Sequence, residues 1–155
     1  MDRILLKELE KWRAQKKRKP VLLDGARQVG KTHLIEKEFG ARHFRRVHKF
    51  DFRENRSLHE LFANSLEPES LLSSLEVAAN RKIDLKTDLI FFDEVGESQA
   101  VVDSLKYFCE KKPDIFLCAS GSNIGLLESF PVGKTHNLEL FPMNFYEFLL
   151  ASGES

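Results

Sequence analysis

The chain has 155 residues, 42% of them hydrophobic and 31% charged, which describes one soluble globular domain and excludes a second full domain beside it. Its 24 Lys and Arg balance 24 Asp and Glu, so it lacks the long-range positive field of a protein that holds nucleic acid or anionic membrane mainly by charge. Two cysteines, Cys109 and Cys118, allow at most one disulfide, and each lies in an apolar context expected of a buried free thiol in a reducing compartment.

No apolar run approaches the roughly 18 residues of a membrane span, and Met1-Asp2-Arg3 leads into an amphipathic pattern, so a cytoplasmic protein with no membrane contact is expected. Ile4, Leu5, Leu9 and Trp12 fall at helical spacing among Lys, Glu and Arg, predicting a helix over 3–15 with one packed face. The Lys16-Lys17-Arg18-Lys19 run after it reads as a solvated helix end, where cations meet the carbonyl-rich terminus. Val21-Leu22-Leu23 is apolar without alternation, the pattern of a strand covered on both faces in a parallel sheet. A glycine loop and a helix over 31–39 follow. Further strands are predicted at 47–52, 89–92, 115–119 and 137–140, and helices at 57–79, broken at Pro68, and at 100–111. This alternation predicts an α/β fold with parallel strands joined by crossovers. Asn144 with Glu147 predicts a capped last helix that buries Phe145, Phe148 and Leu149. The 13 phenylalanines suggest a core filled by large rings.

Gly25, Ala26, Arg27, Gln28, Val29, Gly30, Lys31 and Thr32 match G-x-x-x-x-G-K-[ST] without exception, between a buried strand and a helix. The glycines let the loop curl so that backbone N–H groups point at a phosphate. The helix N-terminus adds partial positive charge, Lys31 reaches the β/γ oxygens, and the Thr32 hydroxyl meets Mg²⁺. Leu89-Ile90-Phe91-Phe92-Asp93-Glu94 is a buried strand ending in two acids, and the carboxyl ends of parallel strands share one edge with the phosphate loop. Asp93 is expected to hold Mg²⁺ through its water shell and Glu94 to polarise the water that attacks the γ-phosphate. The strand over 115–119 delivers Ser120-Gly121-Ser122-Asn123 to the same edge. There Ser120 or Ser122 would touch the γ-phosphate or the attacking water; turn or cap chemistry suits these residues equally.

The five histidines have no metal-ligand spacing and no Cys-x-x-Cys occurs, so a zinc site is not expected. Arg42, Arg45, Arg46 and Lys49, interleaved with Phe44 and Phe50, read as a basic helix-to-strand turn with inward rings before they read as a nucleic-acid contact.

With these motifs in place, the chain resembles the predicted AAA+ P-loop ATPases of archaea and bacteria, whose ATPase module precedes a C-terminal domain of uncertain function. GARQVGKT, the LIFFDE strand, Ala119-Ser120-Gly121-Ser122, Ser129-Phe130-Pro131-Val132-Gly133-Lys134 and the segment from Leu140 to Leu149 carry the resemblance nearly end to end. It implies ATP and Mg²⁺ as cofactors, ATP hydrolysis, and a three-layer α/β/α sandwich with a parallel five-stranded sheet in the order 5-1-4-3-2. It also implies Ser120 at the polar sensor position. Relatives commonly follow the acidic pair with Ile-Gln, where this chain has Val95-Gly96. They also continue into a helical lid and a C-terminal domain, so residues 1–155 are expected to be the ATPase core, with homo-oligomer or protein contacts in the region beyond.

The leading reading is an ATPase core that couples nucleotide state to that effector region; the alternative is a nucleotide-dependent binding module with negligible turnover. A small-molecule kinase calls for an arginine-rich lid that is not found after residue 100, and a GTPase for an Asn-Lys-x-Asp segment that is absent. Nucleic-acid binding by a longer form stays open. Lys134 reads first as a loop lysine in solvent and is otherwise the one candidate for a second cation toward the γ-phosphate.

Overall fold

The computed structural model describes residues 3–26, 30–124, 127 and 131–141. The chain order is α1 (Arg3–Arg13), β1 (Val21–Gly25), a continuous helix α2 over 31–43, β2 (Arg46–Asp51), α3 (Leu58–Asn64), α4 (Pro68–Ala79), β3 (Asp88–Asp93), α5 (Gln99–Lys111), β4 (Leu117–Gly121) and β5 (His136–Leu140). The expected last helix at Asn144 lies outside the described residues.

All strand pairings are parallel, and the sheet runs β2-β3-β4-β1-β5, the expected 5-1-4-3-2 order viewed from its other edge. Successive strand residues point to opposite faces, so the sheet separates two apolar clusters. Leu22, Phe50, Ile90, Phe92, Leu117 and Ala119 pack with α3, α4 and α5 through Phe62, Leu71, Leu75, Val101, Leu105 and Phe108. Val21, Leu23, Leu89, Phe91 and Cys118 pack on the other side with Leu5, Leu9, Trp12, Leu34, Ile35 and Phe39 of α1 and α2. Every residue of β3 is buried, as a central parallel strand requires. Phe92 meets Phe50, Phe52, Phe62 and Phe108 edge-on, so the abundant rings do fill one face of the core.

Local chemistry sets the element ends. Pro68 opens α4, the Glu67 carboxylate accepts from the Ser70 amide at 2.8 Å, and Asn80 closes the helix in the left-handed conformation. The Ser98 hydroxyl caps α5 by accepting from the Val101 amide. Within α2 the turns widen over Leu34–Gly40, so that the Ala41 amide bonds to the Glu36 carbonyl.

Four expectations are corrected. Ile4 is 61% exposed and Leu6 takes its place on the packed face of α1. The fourth strand runs Leu117–Gly121, two residues later than expected at each end, because Ser120 and Gly121 pair with β1 opposite Leu23 and Asp24. Cys118 is buried, and burial pushes its thiol pKa up; Cys109 is only half-buried, and both are free. Arg18 is no solvated helix end: its guanidinium bonds to the carbonyls of Gln15, Asp114 and Ile115 and lies 4.1 Å from the Phe116 ring centroid. It clasps the start of β1 to the turn before β4, and burial lowers its pKa. No helix among the described residues is long and apolar enough to cross a membrane.

At the amino end of β3, Asp88 is fully enclosed. Its carboxylate accepts from Arg45 at 3.0 and 2.8 Å, from the Asp84 amide at 3.0 Å, from Thr87 at 3.0 Å, and pairs with His48 Nε2 at 2.8 Å. Burial by itself would raise the Asp88 pKa, but the bonds from His48, the Asp84 amide, Thr87 and Arg45 outweigh it and hold it below the usual carboxylate value. Asp88→Asn is therefore expected to cost about 3 kcal/mol in urea unfolding at neutral pH. The folded-state pKa lies below the unfolded one, about 3.9 for Asp, so this contribution is complete above that value and is lost as pH falls through the lower folded pKa. The stability gap between wild type and variant should shrink across that acid window.

Candidate functional site

The carboxyl ends of β1, β3 and β4 meet at one edge of the sheet, and the predicted site residues gather there. β1 ends at Asp24-Gly25, where the Asp24 carboxylate accepts the Gly25 amide at 2.8 Å. At Gly30, just before α2, φ is 93°, in the left-handed region that glycine adopts without strain. Its carbonyl then takes the first helical bond of α2, from the Leu34 amide at 2.9 Å. Arg27, Gln28 and Val29 of the expected phosphate loop lie outside the described residues.

Lys31 is 6% exposed and curls over its own loop. Its ammonium donates to the carbonyls of Gly25 at 2.9 Å and Ala26 at 2.8 Å, and to the Ser122 hydroxyl at 3.2 Å. Beside it the Thr32 hydroxyl donates to Asp93 Oδ2 at 2.9 Å, a bond that joins the start of α2 to the end of β3. Ser120 donates to the other oxygen, Asp93 Oδ1, at 2.8 Å. Thr32 and Asp93 offer hard oxygen donors side by side, the donor chemistry that suits Mg²⁺ bound through few protein ligands and several waters.

Glu94 follows at the rim, partly exposed, with φ 59° and ψ 47°. A non-glycine residue held left-handed stores strain, and such strain concentrates where a side chain must be aimed. The turn Val95–Glu97 then doubles back against the tip of β4. A Cβ at position 96 would lie 2.9 Å from the Ser122 carbonyl oxygen, so only glycine allows this approach. That accounts for Val95-Gly96 where the resemblance expects Ile-Gln.

The structure therefore brings together Gly25, Ala26, Gly30, Lys31, Thr32, Asp93, Glu94, Ser120 and Ser122. It does not bring Lys134 to them. Lys134 precedes β5 and pairs with Glu110 near the end of α5 at 3.2 Å, while the neighbouring His136 amide bonds to the Pro20 carbonyl, before the start of β1. This is the opposite edge of a parallel sheet. Arg45 and Lys49 of the basic turn are likewise engaged, with Asp88 and with Glu36. Sequence reasoning missed Arg53 and Arg56, which follow β2 at the carboxyl edge; Arg56 pairs with Glu97, three residues past Glu94, at 3.1 Å. Their signal was positional: any residue just after a parallel strand belongs to that edge.

A parallel sheet in this order, flanked by helices and with a glycine loop between β1 and α2, defines the P-loop NTPase α/β fold. The family model described as AAA domain matches residues 17–149, and the chain belongs to that family of nucleotide-binding ATPase domains. A comparison with curated proteins found no match.

Proposed function

We propose that the chain binds ATP with Mg²⁺ at the loop from Gly25 to Thr32 and hydrolyses it, coupling nucleotide state to an effector region. The observation that carries this reading is the bond from Thr32 to Asp93, which sets a loop hydroxyl and a strand-end carboxylate together across 61 residues of sequence. Thr32 directly and Asp93 through water would hold Mg²⁺, which would supply charge neutralisation to the phosphates. Lys31 exchanges the neutral acceptors Gly25 O, Ala26 O and Ser122 Oγ for phosphate oxygens, a gain because ionised acceptors make the stronger bonds. Glu94 polarises the attacking water, and its backbone strain supports an aimed side chain.

Two variants test this. Lys31→Ala should weaken ATP binding about 100-fold or more by calorimetry, the equivalent of two charge-assisted hydrogen bonds; equal affinity in both proteins would put the nucleotide elsewhere. Glu94→Gln should bind ATP within about twofold of wild type yet lose roughly 10² to 10⁴ in turnover, the range for a general base. Hydrolysis at the wild-type rate would remove Glu94 from the mechanism.

Turnover of the 155-residue chain itself is expected to be slow. An arginine at the γ-phosphate contributes about 10³ to 10⁵ in rate in P-loop enzymes, and Lys134, the candidate for such a cation, is tied to Glu110 at the far edge. Steady-state assays over a range of protein concentration check this: several turnovers per second, independent of concentration, would mean that the chain already holds its full catalytic set.

A further inference from the structure

Two serines stand two residues apart at the end of β4, and their surroundings differ. Ser120 is 0% exposed and lies within the sheet, in register with Asp93 on one side and Leu23 on the other. Its hydroxyl is committed to Asp93 Oδ1. With no exposed surface and its hydroxyl on Asp93, Ser120 presents no free group at the rim. Ser122 lies past the strand, is partly exposed, and touches the Lys31 ammonium.

We infer that Ser120 is a positioning residue that sets Mg²⁺ affinity through Asp93, and that contact with the nucleotide belongs to Ser122. This rests on the reading above and gives Ser120 a different role from the sensor that the resemblance implies. A carboxylate that meets a metal through waters must present its oxygens in a fixed plane, since each bridging water has its own preferred direction. Thr32 fixes one Asp93 oxygen and Ser120 the other, so rotation of the carboxylate is held from both sides. Loss of the Ser120 hydroxyl frees Oδ1 and leaves a buried acceptor without its donor. Loss of the Ser122 hydroxyl leaves Asp93 untouched, because among the described residues that hydroxyl bonds to Lys31, while Asp93 is held by Thr32 and Ser120.

The test is equilibrium binding of a fluorescent ATP analogue, titrated with Mg²⁺ and, separately, measured in EDTA, for wild type, Ser120→Ala, Ser120→Thr and Ser122→Ala. Removal of an outer partner of a metal ligand typically costs about 10-fold to 100-fold in metal affinity. Ser120→Ala should raise the Mg²⁺ concentration for half-maximal enhancement by about 10-fold or more, with nucleotide affinity in EDTA near wild type. Ser120→Thr, which keeps the hydroxyl, should restore the wild-type midpoint. Ser122→Ala should weaken nucleotide binding in EDTA as well as in Mg²⁺, with the Mg²⁺ midpoint unmoved. A wild-type midpoint in Ser120→Ala overturns the inference, as does a collapse of its EDTA affinity, which would mark the residue as structural alone, and as does a Ser120→Thr protein no better than Ser120→Ala. Failure of the wild-type protein to bind the analogue under either condition is a different result: it overturns the nucleotide reading itself.

Discussion

The carboxylate of Asp93 is the point on which the rest of this edge depends. It terminates a strand whose other residues are almost wholly apolar, and it is 4% exposed. A buried carboxylate without partners is far costlier than the burial of its strand can offset, so donors have to be brought to it. Thr32 comes from the helix that follows β1, and Ser120 from β4. Three separate stretches of sequence therefore converge because one charge must be satisfied, and their convergence assembles the loop, the acid pair and the β4 tip into one site.

The same rule acts at the opposite end of the strand. β3 reads Asp-Leu-Ile-Phe-Phe-Asp, four apolar residues between two buried acids. Asp88 is satisfied by His48 and Arg45 of the β2 region and by the turn before β3, so it anchors the edge away from the nucleotide motifs. Arg18 anchors that edge near β1 and β4 by donating to carbonyls. The two ends of the sheet thus divide their labour: polar networks at the amino edge hold strands in register, and those at the carboxyl edge hold functional groups in place.

Much of this was legible in the sequence because the signals were local. The unbroken apolar runs at Val21-Leu22-Leu23 and at Leu89 to Phe92 identify buried parallel strands, and the glycine-lysine loop between a strand and a helix carries its own chemistry. What stayed hidden depends on contacts distant in the chain. A lysine-arginine run after a helix looks solvated whether or not one member folds inward, as Arg18 does onto Phe116, 98 residues later. The period of two puts His48 on the face of Phe50, but nothing local supplies its partner until Asp88 is placed beside it. Ile4 and Leu6 are equally apolar, and which of them packs depends on how α1 is rotated on the sheet. Ser120 and Ser122 are the sharpest case: identical residue types, two apart, separated in surroundings by where the strand ends.

The departure at Val95-Gly96 follows from this geometry. A glutamine there would bring a polar side chain toward the rim, but its Cβ would meet the Ser122 carbonyl oxygen at 2.9 Å. Glycine trades that side chain for a backbone contact, and the turn Val95–Glu97 rests directly on the tip of β4. Glu94 precedes this turn in a conformation that costs free energy, so something must hold it there. One restraint is the bond from the Glu97 amide to the Glu94 carbonyl at 3.2 Å, and the turn it closes lies against Ser122, whose hydroxyl accepts from Lys31. Glu94 and Lys31 therefore border the same β4 tip, one through the turn that follows it and the other through the Ser122 hydroxyl.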